Sequence, residues 1–383
     1  MTDTALLNEA ARVLKLVQTG TPADAALRET LGRTRHGSAP ALRRAVSRAV
    51  FAYFRWWRWL EPKQSLQKQA AAALDLQARF DRAPGSFKAE ALAARAVPDW
   101  LKTEMDVAPD WLRQLQREPV LWLRAKQNEA ANLPALLGDC APAPSSQLST
   151  LNSQLSAFRY SGPRDLFLTD EFRDGRFEIQ DLASQLVGHA CAPQPGQTWW
   201  DACAGEGGKT LHLSDLMQNK GLLWASDRSV RRLDHLKKRA ARAGMFNYRT
   251  APWDGSAKLP TKTKFDGVLV DAPCSGVGTW QRNPHARWTT QPADVRELAA
   301  VQQRLLDHVA SSLKSGGRLV YSVCTLTRAE TTDVADAFAA AHPEFEPVPV
   351  FPGAQPSAPG SQLFLQPHEL NANGMFLATW KKK

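Results

Sequence analysis

Two short stretches place a cysteine just beyond an apolar run, Asp271-Ala-Pro-Cys-Ser-Gly276 and Tyr321-Ser-Val-Cys-Thr325. A free thiol titrates near ~8.5, so a few per cent is thiolate at neutral pH, and that fraction is a strong nucleophile. Two thiols beside the carboxylate of Asp271 could attack an electrophilic carbon and handle the protons that must move. Free cysteines more often serve as small buried hydrophobes, the better reading for Cys140 and Cys191. A third element is the loop Asp201-Ala-Cys-Ala-Gly-Glu-Gly-Gly-Lys-Thr210. A Walker loop would need glycine where Cys203 stands, and a dinucleotide fingerprint begun at Gly205 and Gly207 would need glycine at Thr210. What remains is a glycine turn on which a small cofactor can approach the backbone, a plain strand-ending turn being the alternative. Asp227 follows about 20 residues on, where an acid hydrogen-bonds ribose hydroxyls.

A cofactor with a free ribose and no phosphate suits this loop, and S-adenosylmethionine is such a molecule. Methylating C5 of a pyrimidine needs a nucleophile, because that carbon is not reactive enough by itself. Attack at C6 makes the ring enamine-like, C5 takes the methyl group, and the C5 proton must leave before the thiol is expelled. The chemistry wants a nucleophile, an acid near N3 and a base near C5. The residues by themselves leave open which cysteine attacks. Cys203, inside the loop, is read as a contact without chemistry.

These groups must be delivered to one place by the elements that carry them. Thr198–Ala204, Leu222–Asp227, Phe265–Pro273 and Arg318–Thr325 read as buried strands, with helical patterns at Gly208–Gln218, Val230–Ala243 and Pro292–Lys314 between them. That alternation predicts right-handed crossovers and a doubly wound, mostly parallel sheet, with ligands at the C-terminal strand ends. Each predicted strand ends on chemically loaded residues. The helix from Arg228 to Arg249 carries Arg231, Lys237, Lys238, Arg239 and Arg242, read either as phosphate contacts or as a solvated face.

The first third is predicted helical. Leu6, Leu7, Ala10, Val13, Leu14 and Val17 recur at helical spacing before Gly20, and Thr21-Pro22-Ala23-Asp24 opens a second helix. Between Thr30 and Leu60 no acidic residue occurs, while Arg33, Arg35, Arg43, Arg44, Arg48, Arg55 and Arg58 do. This suggests an apolar face opposite an arginine face that could hold RNA phosphates, with Trp56, Trp57 and Trp59 packed rather than stacked on bases. Two Pro-Asp-Trp-Leu units, at Pro98 and Pro109, resemble helix starts. The uncharged stretch 141–156 reads as a flexible insertion.

The whole chain has 383 residues, 43% hydrophobic and 22% charged, which excludes wholesale disorder. No apolar run reaches the ~20 residues of a membrane helix, and the start lacks a secretory pattern. Five scattered cysteines without a C-x-x-C pair argue against a disulfide framework or a metal site, and for a reduced, cytoplasmic setting. A net charge of +10 suits a polyanionic partner.

From about Phe177 onward the chain resembles the RsmB-like (Sun) family of RNA cytosine-C5 methyltransferases. The resemblance rests on Gln180–Gly188, Asp201–Thr210, Ser226-Asp-Arg-Ser-Val-Arg-Arg-Leu233, Asp271-Ala-Pro-Cys-Ser-Gly-Val-Gly278, Arg282-Asn-Pro284 with Trp288, Tyr321–Thr325 with Glu330, and Asn373–Ala378. The helical start resembles a NusB-like domain. The resemblance implies a Rossmann-like class I methyltransferase domain at 177–383, preceded by an all-α RNA-binding domain at 1–82 and a connecting subdomain at 83–176. It makes Cys324 the nucleophile on C6, assigns release and C5 proton removal to Cys274, and puts Asp271 near N3 and the cofactor. Cys203, Ala204, Gly205, Glu206, Gly207, Gly208 and Lys209 would wrap the methionine part of S-adenosylmethionine, Asp227 the ribose, and Asp254 would lie near the adenine. The partner implied is RNA, of the small-subunit ribosomal class, acted on by a monomer with no membrane attachment. Gly205-Glu206 replaces the family's Ala-Pro, so Glu206 could repel the cofactor's carboxylate, and Thr331 replaces an asparagine. A non-catalytic RNA-binding or assembly factor that keeps the fold is the alternative; a DNA cytosine methyltransferase, with Cys274 attacking, is a third.

Overall fold

The computed structural model describes residues 4–32, 40–144, 155–352 and 360–383. It divides into two compact units, Met1–Pro119 with Thr279–Gln291, and Val120–Gly278 with Pro292–Lys383. The sequence had suggested divisions at 82 and 176. Here the short helices Ala89–Arg95 and Pro109–Leu115 belong with the helical unit, and residues 120–176 belong with the sheets.

In the helical unit the expected periodicity holds. Thr4–Gln18 buries Ala10, Val13, Leu14 and Val17, and Ala23–Gly32 follows it. Pro40–Trp56 and Leu66–Arg82 complete the set, the latter capped by the Ser65 hydroxyl, which accepts from the Lys68 amide. The arginine face is less open than its sequence implied. Arg55 is buried and donates to Gln77 Oε1 at 2.7 Å, Arg48 pairs with Glu118 and Asp81, and Arg58 donates to the Val97 carbonyl at 3.1 Å. Arg33 and Arg35 lie outside the described residues. Trp56 is buried, as expected, whereas Trp57 is exposed. The strap Thr279–Gln291 supplies Arg287, fully buried, which donates to the carbonyls of Ala96 and Leu115 at 3.0 and 3.1 Å, and Trp288, which donates to that of Phe54.

The second unit holds two sheets. The smaller is antiparallel, with β1 (Leu121–Ala125), β2 (Cys140–Pro142), β3 (Ala157–Tyr160) and β4 (Phe177–Ile179) in the order β2-β3-β1-β4. The sequence pattern had shown none of it, since the strands run only three to five residues. Ala141 and Pro142, read as the start of the insertion, belong to β2, and 145–154 of that insertion lie outside the described residues.

The larger sheet comprises β5 (Thr198–Asp201), β6 (Leu222–Asp227), β7 (Tyr248–Pro252), β8 (Phe265–Asp271), β9 (Leu313–Val323), β10 (Phe345–Pro347), β11 (Gln362–Leu365) and β12 (Met375–Lys382). Its order is β10-β12-β9-β8-β5-β6-β7, with β11 beside β12; β5 to β9 pair in parallel and β12 antiparallel to β9. β9 begins at Leu313, so the helix Pro292–Ala310 stops short of the expected Lys314. Both faces are covered: Trp199, Leu269 and Val320 enter one core, while their neighbours Trp200, Val268, Val270, Leu319 and Tyr321 enter the other. Near-continuous apolar strands are what a doubly covered parallel sheet requires. Gly267 is one fixed point, because a Cβ there would lie 2.3 Å from the Trp199 ring of the adjacent strand. The chain departs from β5 in opposite directions, toward β6 and β7 on one side and toward β8 and β9 on the other. The crevice at that reversal is where such folds bind ligands. Among the described residues no helix is long and apolar enough to cross a membrane.

Candidate active site

The parallel register sets Asp271 at the end of β8 opposite Ser322 on β9, and the chain runs on from each into a cysteine loop. Cys274 and Cys324 meet there with their sulfurs 3.3 Å apart. The backbone holds the loops together as well: the Gly278 amide donates to the Cys324 carbonyl at 3.1 Å, and the Gly374 amide to the Gly278 carbonyl at 2.8 Å. A Cβ at Gly278 would fall 2.0 Å from the Gly374 carbonyl oxygen, so this crossing of main chains admits only glycine at 278.

The Asp271 carboxylate accepts from Lys209 Nζ at 2.7 Å and from the Ser322 hydroxyl at 2.8 Å. Burial works against the Lys209 ammonium, but the charge and hydrogen bond of Asp271, joined by Cys324 and Asp201, outweigh it and raise its pKa. Lys209 is therefore a fixed cation, and a negative charge on the Cys324 sulfur is among the groups that keep it one. The Cys274 thiol is pushed well up, first by its hydrogen bond with Cys324, then by burial and by the negative charges of Cys324 and Glu330. Burial, then the nearby acids at 201, 271 and 227, push the Cys203 thiol well up too, which suits a contact without chemistry.

Under β5 and β6 lies the glycine turn. Gly205, at φ +55°, donates its amide to Asp227 Oδ2 at 3.0 Å, and Ser229 donates to Asp227 Oδ1 at 2.8 Å. Asp227, with Arg232 at 3.4 Å from Oδ2, borders a cleft of about 310 Å³. Cys203, Asp254, Asp271, Cys274 and Cys324 also line it. The Asp254 carboxyl is held below its usual range by its hydrogen bonds with Ser256.

The sequence model of the 16S rRNA methyltransferase RsmB/F family matches residues 189–381. The chain belongs to the RsmB/F family. The Bacillus subtilis protein "Probable ribosomal RNA small subunit methyltransferase B" is 36% identical over 224 residues, 56% of this chain and 50% of that one. The Mus musculus "tRNA (cytosine(72)-C(5))-methyltransferase NSUN6" is 36% identical over 168 residues, 40% of this chain and 35% of that one. The chain spans about half the length of the curated relatives it matches. The crystal structure of PH0851, 22% identical, covers 100% of this chain and 99% of its own with a TM-score of 0.76, a likeness of fold.

Within this RsmB/F domain the expected residues do not all converge. Cys203, Asp227, Asp254, Asp271, Cys274 and Cys324 line one cleft, and Lys209 joins them through Asp271. Glu206 does not. It turns out to His235, 3.1 Å away, and borders a separate groove with Phe167 and Arg239, so the feared repulsion of a cofactor carboxylate has no geometric basis. The reason is Gly207, whose φ of +86° turns the chain before the helix Gly208–Leu216 and which abuts Leu236 where a side chain would sit. Gly205 likewise leaves room for Arg232, whose Nη2 lies 2.6 Å from where a Cβ would be. The sequence reading missed Arg232 and Trp253, which also line the cleft. Trp253 could have been found, since it follows β7 directly, where a strand end should deliver a side chain to the same edge. Ser322 was hidden because only register places it opposite Asp271.

Proposed function

We propose that this chain methylates C5 of cytosine in RNA, with S-adenosylmethionine as donor and small-subunit ribosomal RNA as the substrate class. The observation that carries the reading is the pair of sulfurs 3.3 Å apart in the lining of one cleft that Asp227 also borders. The cleft suits the donor, since the carboxylates at 227 and 254 can accept from hydroxyl and amine donors. Its volume, about 310 Å³, falls in the range of small-molecule sites. Cys203, Asp227 and Asp254 would hold the donor, and the glycine turn would pass beside it.

In this reading the Cys324 thiolate bonds to C6 and the displaced C5–C6 π electrons move toward N3, where Asp271, fixed by Lys209 and Ser322, steadies the altered base. Bound S-adenosylmethionine supplies the methyl group for C5. The Cys274 thiolate takes the C5 proton, the electrons of that C–H bond re-form the C5–C6 double bond, and the Cys324–C6 bond breaks with its electrons leaving on sulfur. The group at 274 is suited to that task because a thiolate whose pKa has been pushed up is a stronger base. A base must leave its stack to reach these sulfurs, so loops and open RNA are the expected targets.

The test is transfer of a tritiated methyl group to RNA from a methylation-deficient strain. Cys324→Ala should abolish transfer, and Cys274→Ala should accumulate a denaturant-stable protein–RNA adduct because release fails. An adduct that instead builds up in the Cys324 variant reverses the two roles. No transfer by the unaltered chain to any RNA fraction leaves the RNA-binding alternative.

A further inference from the structure

We infer that Glu330 is the positioning residue of this site: its buried carboxylate ties the loop of Cys274 to the loop of Cys324 and sets the spacing of the two sulfurs. The inference builds on the proposed reaction, and its first test is independent of methyl transfer.

Glu330 has no solvent exposure. Its Oε1 accepts from the Ser275 amide at 2.8 Å and from Gln302 Nε2 at 3.0 Å. Its Oε2 accepts from the hydroxyls of Thr327 at 2.8 Å, Thr325 at 3.3 Å and Ser275. Ser275 is the residue after Cys274, and Thr325 is the residue after Cys324, so one carboxylate grips the chain directly beside each sulfur. Gln302 extends the brace by donating to the Pro273 carbonyl at 2.9 Å and accepting from the Tyr321 hydroxyl at 3.0 Å. That hydroxyl also reaches the Glu330 carbonyl at 2.7 Å. A carboxylate offers about four lone-pair sites, and five donors use them all. A buried charge held by neutral donors is disfavoured unless every donor is in place, so the site is stable only with both loops seated. The same charge acts on the thiols. Cys274 faces Cys324, Glu330 and the hydroxyl of Tyr321; the negative charge of Glu330 helps raise the Cys274 pKa and so makes its thiolate a stronger base, while the Lys209 cation lies near Cys324.

The spacing can be read with phenylarsine oxide, which takes two neighbouring thiols, forming two As–S bonds and releasing its oxygen as water. The unaltered chain should capture it through Cys274 and Cys324, with Cys274→Ser and Cys324→Ser as controls. Glu330→Ala should slow capture roughly tenfold, because the two loops lose their common anchor. Glu330→Gln should stay within about threefold: its amide oxygen still accepts from the Ser275 amide, and two of the three hydroxyls can turn to accept from its NH2. In methyl transfer Glu330→Ala should lower kcat while KM for RNA and donor holds. If Glu330→Ala does not fold, Thr327→Val with Ser275→Ala removes two of the five bonds and should slow capture about threefold. Capture as fast as in the unaltered chain by a folded variant of either kind overturns the inference. Should the arsenical rates separate as expected while no variant transfers methyl groups, the brace stands and the proposed reaction falls.

Discussion

The sheet unit holds two close pairs of titratable side chains, and they are built on opposite principles. Cys274 and Cys324 touch at 3.3 Å where the strands end, open to a cleft, with an ammonium on one side and a braced carboxylate on the other. His189 and His212 lie with ring centroids 5.1 Å apart, nearly perpendicular, beside a void of only about 10 Å³ bordered by Arg124, Gln185 and Asp215. His212 Nδ1 is buried and has no hydrogen-bond partner. Burial, with Arg124 next, pushes both imidazoles down, His189 to about 4. Gly188 leaves room for His212, since a Cβ there would fall 2.2 Å from its Nδ1. A shifted pKa therefore marks both pairs and identifies neither as a site. What separates them is the surroundings. Charges that hold particular protonation states border an open cleft in one case, and neutral rings fill space between two helices in the other.

The comparison is broken most sharply by removing the cation. Lys209→Met takes away the partner of Asp271 and the positive charge near Cys324, and should lower single-turnover methyl transfer about 100-fold. His189→Gln should leave transfer within about twofold, since nothing in that pair touches the cleft. A loss of transfer in the histidine variant like that in the lysine variant would erase the distinction. Next in size is Gly188→Ala, which forces a methyl group against His212. Its cost in urea denaturation should be about 2 kcal/mol, partly offset by alanine's better helix propensity, with transfer per folded molecule unchanged.

The same contrast explains which features could be read from the residues alone. Cys274, Cys324, Asp271 and Asp227 were legible because a parallel sheet ends its strands at one edge, so polar residues that close apolar runs must converge. The brace was not, because the donors to Glu330 come from 275, 302, 325 and 327 and only the fold assembles them. The outward turn of Glu206 depends on the backbone angle at Gly207, which no spacing rule encodes. Nor does composition tell a buried arginine from a solvated one. Arg55 and Arg287 are buried because Gln77 and backbone carbonyls at 96 and 115 take their donors, and those partners lie far away in sequence. The antiparallel sheet escaped because strands of three to five residues carry too little periodicity.

Acid titration gives a finer test. The folded chain holds His189 neutral down to about pH 4, whereas an unfolded chain protonates it near the ordinary 6.5. Between those values the unfolded state binds the extra proton, so stability present above pH 6.5 is lost as the pH falls toward 4. His189→Gln should flatten that loss in urea denaturation; an unchanged acid slope would mean that the imidazole is not held neutral.

Asp201 works in the opposite direction within nearly the same window. It is fully buried at the end of β5, accepts from the Thr210 hydroxyl at 2.7 Å, and leaves Oδ1 unpartnered. Burial raises its carboxyl to about 7, against the Thr210 bond. From pH 4 to pH 7 the folded state keeps a proton that the unfolded state has released, so stability falls as the pH rises through that range. The histidine and aspartate contributions therefore oppose each other, and the unaltered chain shows only their sum. Asp201→Asn, neutral at every pH and still able to accept from Thr210, separates them: relative to the parent it should be more stable at pH 8 than at pH 5. The difference should be the smallest of those expected here, because the Thr210 bond and the Lys209 cation already offset part of the burial cost. An equal offset at both pH values would show that Asp201 is ionised throughout. The acid beside the glycine turn would then be a second fixed charge facing the cation, and the electrostatic contrast between the sulfur pair and the histidine pair would be larger than drawn.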